Sequence, residues 1–389
     1  MWSDPLISIT LYFILFAIGS VVSVKTKGVV GEVLFLCIFY AIGFAVGIIP
    51  EDSLTSTGLP AMMGAFGLLL IVGNLGTMIE LRRFLQEWRT VLVCLGGLVV
   101  MTIVCWSIGT VVYNKYYALM SIPPLAGGVV ATQMVNQVAN AAGMPEYAAF
   151  AALVCSFQAF VGIPLSAWLL RKHCDKVVAD KAYIEDMSTQ SRFPNLRIIK
   201  PFPPILNDGT MMVTRLLLVV LAGTWISGWS GIPAAVVILI LGILCTEVGF
   251  LERETLSKAG YMNFLMLAVI MLLPMDFSTL TVKSLAGMVA PMAFFILLGT
   301  VGLMVGGALA GKIVKMDWKL SASLALSAFT GYPLTEIIVR SVVKGYRLPE
   351  AENKKLLDMV LPQMIIAGFT TVTLASVFMA GVIAPMIFS

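Results

Sequence analysis

Ten apolar runs, most of them near the roughly 20 residues that a helix needs to cross about 30 Å of hydrocarbon, fix what this chain can fold into. They lie at about 5–24, 29–49, 58–79, 90–112 and 147–170, then at 210–229, 231–250, 260–275, 286–311 and 356–387. No alternating strand pattern of a barrel accompanies them. Of the 389 residues 59% are hydrophobic and only 12% charged, with a mean hydropathy of +0.97, whereas soluble domains carry about 25% charged residues. The sequence therefore predicts an all-α polytopic protein of the lipid bilayer. A formal charge of +4 is too small to suggest nucleic acid as a partner. The six cysteines fall mostly inside apolar runs without metal-type spacing and read as small hydrophobes. Residues 6–24 read as a retained first helix, because Asp4 stands where a signal peptide carries basic residues.

Charge in the turns sets the expected orientation. Lys25 and Lys27 follow the first run, Glu51 and Asp52 the second, and Arg82, Arg83 and Arg89 surround the third turn. Under the positive-inside rule the N-terminus lies outside, and of the basic residues only Lys115, Lys283 and Arg340 are not cytoplasmic. Residues 117–170 are too long for one crossing and too short for two, so a re-entrant hairpin at about 117–145 is expected, turning back near Gly143-Met144-Pro145-Glu146. A polar linker at 171–208, with Pro194, Pro201, Pro203 and Pro204 near its end, separates this first repeat (1–170) from a second (209–389). The second half repeats the order from the opposite side, with a hairpin at about 320–345 and the C-terminus outside. Five crossings per half make the two copies inverted repeats, the arrangement of secondary transporters whose sites lie at broken helices.

Two stretches carry the polar residues. Within 125–170, Thr132, Gln133, Asn136, Gln137, Asn140 and Gln158 interrupt an apolar, small-residue run, and spacings of three and four put Gln133, Asn136, Gln137 and Asn140 on one helical stripe. Their bland reading is interhelical glue, and their functional one is a polar lining for a solute and a cation. In the second stretch Gly331 and Pro333 break a helix beside Thr330 and Thr335, while Glu336 and Arg340 stand four apart. That pair is either a structural salt bridge or a carboxylate receiver, Arg340, oriented by Glu336. Substrate contact is thus assigned to Thr132, Gln133, Asn136, Gln137, Asn140, Thr330, Thr335, Glu336 and Arg340. Cation coordination is assigned to Asn74, Thr132, Thr335 and Thr371, against the commoner back-bonding of helical threonines such as Thr370, Thr371 and Thr373. Asp276, after Pro274, reads as a solvated helix end, and His173, beside Arg171 and Lys172, as a surface residue. Gly127-Gly128 and Gly306-Gly307 read as packing or hairpin devices rather than phosphate loops. No enzyme constellation is present, and no cofactor is expected beyond Na+ as a coupling ion.

Leu125-Ala126-Gly127-Gly128, Gly162-Ile163-Pro164 before a basic helix end, and Pro333-Leu334-Thr335 give the chain a resemblance, over nearly its whole length, to the bacterial glutamate:sodium symporters. That family would imply an elevator of two inverted five-helix repeats, a homodimer, a bacterial-type inner membrane and a hairpin site for an amino acid with sodium. In this chain Val129-Val130-Ala131-Thr132-Gln133 replaces the family's Gly-rich, His-bearing first hairpin. The expectation is sodium-coupled symport of a small carboxylate-bearing solute. The alternatives are a proton-coupled carrier or exporter of a small organic anion, with Glu336 titrating, and a non-transporting receptor or assembly component.

Overall fold

A computed structural model describes residues 4–25, 32–79, 85–180, 199, 202–203, 208–278, 281–331, 334–346 and 348–387. Every apolar run becomes a helix, because a backbone away from water can satisfy its N–H and C=O groups only within the helix itself. In chain order these are α1 (Pro5–Lys25), α2 (Glu32–Ala45), α3 (Leu59–Met78) and α4 (Trp88–Val112). The half-length helices α5 (Lys115–Ala126) and α6 (Val129–Ala141) follow, then the long α7 (Pro145–Ala179). The second half has α8 (Gly209–Ser230), α9 (Ala234–Val248), α10 (Met262–Met275) and α11 (Val282–Ile313). It ends with the short pair α12 (Trp318–Leu326) and α13 (Leu334–Lys344) and the long α14 (Glu350–Met386). Among the described residues there is no strand, and seven helices are long and apolar enough to cross a membrane, with α2, α9 and α10 apolar but shorter.

Helix α7 extends to Ala179, so the first nine residues of the expected 171–208 linker are helical instead. Most of the remaining linker lies outside the described residues, as does the break expected at Pro333. The chain reverses at Gly127-Gly128, where φ of 131° and 93° is open to glycine and closed to other residues, whereas Gly143 only joins α6 to α7.

The two half-helix pairs fold back from opposite ends of α7, a rod of about 52 Å at 1.5 Å per residue. At its start, Asn114 caps α5 by accepting from the Tyr117 N–H, and its amide donates to the Tyr147 hydroxyl at 3.3 Å. The outer ends of α5 and α6 therefore lie together. At its other end, Nδ1 of His173 stands 3.3 Å from Oδ1 of Asp317, the residue that caps α12, and the Tyr346 hydroxyl beyond α13 donates to Asp175 at 2.6 Å. His173 is only 8% exposed and is part of this base rather than a surface residue. Burial pushes the Asp317 carboxyl up, but the backbone N–H groups of Leu320 and Lys319, together with His173, outweigh it and hold it below the usual range.

The two tips meet near the middle of α7, where Phe329 fills the space that a side chain at Gly162 would need. A Cβ added at Gly127, Gly128 or Gly331 would come within 2.8–2.9 Å of Val372, so three tip glycines close on one side chain of α14. Val372 sits in a π-helical segment, Thr370–Ala375, the kind of local widening that recurs at functional sites.

Small residues set the remaining helix contacts. Between α4 and α11, a Cβ on Gly306 would meet the Gly96 carbonyl oxygen at 2.5 Å, and between α3 and α9 one on Gly242 would meet that of Gly73 at 2.6 Å. Close backbone approach of this kind is how helices associate where lipid removes the hydrophobic drive. Gly306→Ala should cost about 1–3 kcal/mol by overpacking. Gly228→Ala, at a helical glycine with nothing within 4 Å, should be neutral or gain up to about 1 kcal/mol. Thermal unfolding of the two variants in detergent checks the contrast.

Candidate functional site

The polar stripe of α6 organises itself around Asp276, at the C-terminal end of α10. Asn136 donates to Oδ2 at 2.6 Å, Gln133 donates to the same oxygen at 3.2 Å, and Asn140 donates to Oδ1 at 3.1 Å. Asp276 is 7% exposed, so it is no solvated helix end. The reason is length: α10 has 14 residues and spans about 21 Å, less than the hydrocarbon layer, so its end stops inside the protein. Among the described residues no Lys, Arg or His forms an ion pair with Asp276, and the side chains that bond to it are neutral amides. The other amide of the stripe, Gln137, is exposed and faces Gly64 of α3 rather than the carboxylate.

Asn136 is fully buried, and its Oδ1 has no hydrogen-bond partner. One amide thus spends its N–H on the carboxylate and holds an acceptor in reserve. Cys37 of α2 lies close to Asp276, with its Sγ 3.2 Å from the Ser156 hydroxyl oxygen of α7. About 40° around α6 from Asn136, Thr132 is buried, donates to the Gly128 carbonyl at 3.0 Å and faces Cys155 of α7.

The residues expected in the second hairpin divide. Thr335 is buried with its hydroxyl unpartnered, and Thr330 donates to the Ser327 carbonyl at 3.4 Å near the tip. Glu336 and Arg340 hold each other at 2.7–2.8 Å, with 57% of the Arg340 side chain exposed. This is a solvated intrahelical pair, of the kind worth a few tenths of a kcal/mol. Asn74 is buried and committed: its oxygen accepts from the Leu256 N–H at 2.8 Å and the Thr77 hydroxyl at 3.3 Å, which ties α3 to the turn before α10. Thr371 donates back to the Ala367 carbonyl at 2.9 Å, with Ser327 of the second tip at 3.5 Å from its oxygen. Thus Gln133, Asn136 and Asn140 gather on a carboxylate, Thr330, Thr335 and Thr371 gather near the tips, and Asn74, Gln137, Glu336 and Arg340 stand apart.

Sequence reasoning missed Asp276 as the partner of the stripe. The available signal was the shortness of the 260–275 run, which cannot carry both its ends to the membrane surfaces.

Asn136→Ala should lower stability by about 1–3 kcal/mol, the cost of leaving a buried group unsatisfied. Gln137→Ala, which removes an exposed amide, should stay within about 0.5 kcal/mol of the parent. Unfolding midpoints of the two purified variants separate these outcomes.

No protein-family model and no curated protein matches the sequence. Among solved structures, the sodium proton antiporter MjNhaP1 from Methanocaldococcus jannaschii is similar over 98% of this chain and 98% of that chain, at 15% identity and a TM-score of 0.46. The resemblance to the glutamate:sodium symporters is therefore corrected: no family model or curated protein bears it out, and a solved structure similar to this chain is an antiporter. The elevator mechanism and the homodimer, which that resemblance implied, lose their support with it. A likeness at this identity and score assigns no family, and what is established is a multi-pass helical membrane protein.

Proposed function

We propose that this chain is a secondary transporter coupled to a cation, with Asp276 as the coupling carboxylate. The observation that carries the reading is a carboxyl enclosed in an apolar bundle and held by three neutral amides. An ionisable group at such depth is costly beside an apolar replacement, so it marks a place where charge is meant to come and go. Asn in its place would keep the two bonds at Oδ2 through its carbonyl oxygen and, with the Asn140 amide turned over, the third, without that cost.

The chemistry of the cluster suits a proton. Ionised, the carboxylate accepts the three N–H groups. Protonated, it needs an acceptor for its O–H, and rotation of the Asn136 amide would offer the reserve Oδ1. Sodium is the second reading, favoured by the same unpartnered oxygen, which with the carboxylate would supply the oxygen ligands that a hard cation takes. Either way α6 is the element that feels the ion, and its first residue lies at the tip where the half-helix pairs meet.

The reading of inverted repeats has support from reciprocal contacts. Helix α4 packs on its counterpart α11, the α5–α6 pair packs on α14 as the α12–α13 pair packs on α7, and α3 meets α9 as α10 meets α2. Asn114 and Asp317, which cap the first legs of the two hairpins, differ in number by the same offset of about 200 that relates the halves. With the orientation set by the basic residues, the first hairpin enters from outside and the second from the cytoplasm.

Proteoliposomes with a lumenal pH dye, challenged with pools of small polar solutes, test this reading. Solute-triggered proton movement should appear with the parent and with Asp317→Asn, and fall to the protein-free level with Asp276→Asn. Movement that requires a sodium gradient and ignores pH would favour the second reading, whereas parent-like coupled flux in Asp276→Asn contradicts both.

A further inference from the structure

A cavity of about 370 Å³ lies where the two tips face α1, α2 and α7, and it is separate from the Asp276 cluster. Gly128 and Val129 border it from the first tip and Thr330 from the second, while α7 contributes Ser156 and Gln158, and α2 contributes Glu32. Gln158 is 3% exposed, and its amide makes no hydrogen bond with any described residue, its Oε1 being buried without a partner. A buried amide left unsatisfied in an apolar wall costs about 1–3 kcal/mol, so it calls for a ligand.

The sign of that ligand follows from the rest of the lining. Ser156 gives its hydroxyl hydrogen to the Ala152 carbonyl at 2.7 Å, and Thr330 gives its own to Ser327, so each keeps oxygen lone pairs for the cavity. Glu32 adds a carboxylate, and among the described residues no Lys, Arg or His lines the space. Oxygen acceptors with one carboxylate and no base suit a cation that donates hydrogen bonds. The volume falls in the 300–1,000 Å³ class of organic ligand sites, larger than a bare ion fills. Arg340, the carboxylate receiver expected from the sequence, is paired with Glu336 and does not line the cavity.

We infer that this cavity binds a compact organic solute through a primary ammonium group, which pairs with the Glu32 carboxylate and is oriented by the Gln158 amide. The inference rests on the transporter reading only in taking the bound solute as the cargo. Thr132 and the Asp276-binding amides ride on the same half-helix as Val129, so an occupied cavity and an occupied Asp276 bear on one rigid element.

Thermal shift of the purified full chain in detergent provides the test. The probes are ethanolamine, putrescine, γ-aminobutyrate and L-alanine, each beside a counterpart of the same skeleton without nitrogen. At least one amine should raise the unfolding temperature while its counterpart does not. Its affinity should fall about tenfold or more in Glu32→Gln and in Gln158→Leu, as expected for losing a hydrogen bond to a charged group, and should persist in Asp276→Asn. Unliganded melting curves of the variants report whether each is folded. Absence of a shift with every amine, equal shifts with the nitrogen-free counterparts, or parent affinity in Glu32→Gln would overturn the inference. Amine binding without any coupled flux would instead count against the transporter reading alone.

Discussion

A carboxylate enclosed among helices, held by three amides of one short helix, is the interaction on which the arrangement of this protein turns. Asp276 fixes the rotation of α6 about its axis, since Gln133, Asn136 and Asn140 reach one carboxyl group only if that face looks at the end of α10. With that face committed, Thr132 must turn toward α7, and Gly128 must arrive at Val372. A helix of 13 residues would be marginal alone, and this one is held at its tip by close packing and along its length by hydrogen bonds.

The second half-helix pair meets the first from the other end of α7, and the energetics of the two differ. The base at His173, Asp317, Asp175 and Tyr346 is polar, with His173 buried, Asp317 and Tyr346 half-buried and Asp175 exposed. The tips pack backbone to side chain beside the cavity, with Gly331 at a φ of 63° against the same Val372. The π-helical segment of α14 sits where the tips meet.

Much of this was legible in the sequence, and the reasons for the rest are physical. Apolar runs map onto helices because length and hydropathy leave the backbone no other choice in lipid. The hairpins were legible as stretches of the wrong length for whole crossings, but the residues at the first tip were not, since Gly127-Gly128 and Gly143 both take positive φ and only tertiary packing tells a tip from a joint. The stripe was legible to within its edge: Gln137 is about 40° from Gln133 around the helix at 100° per residue, but on the side away from Asn136 and Asn140. Glu336 and Arg340 were correctly paired by spacing, yet no spacing reports that α13 shows this face to solvent. Asp276 was hidden by its place after a proline at a run's end, a position that usually means water.

The central claim is that Asp276 changes its protonation or its ion as the protein works, and infrared difference spectroscopy of the carboxyl group tests it most directly. Stepping the pH, or adding sodium at fixed pH, should produce a carboxyl carbonyl band with the parent protein, accompanied by shifts of the Asn and Gln amide bands. The carboxyl band should vanish in Asp276→Asn. A difference spectrum unchanged by that substitution would show Asp276 to be a fixed structural group and would contradict the account.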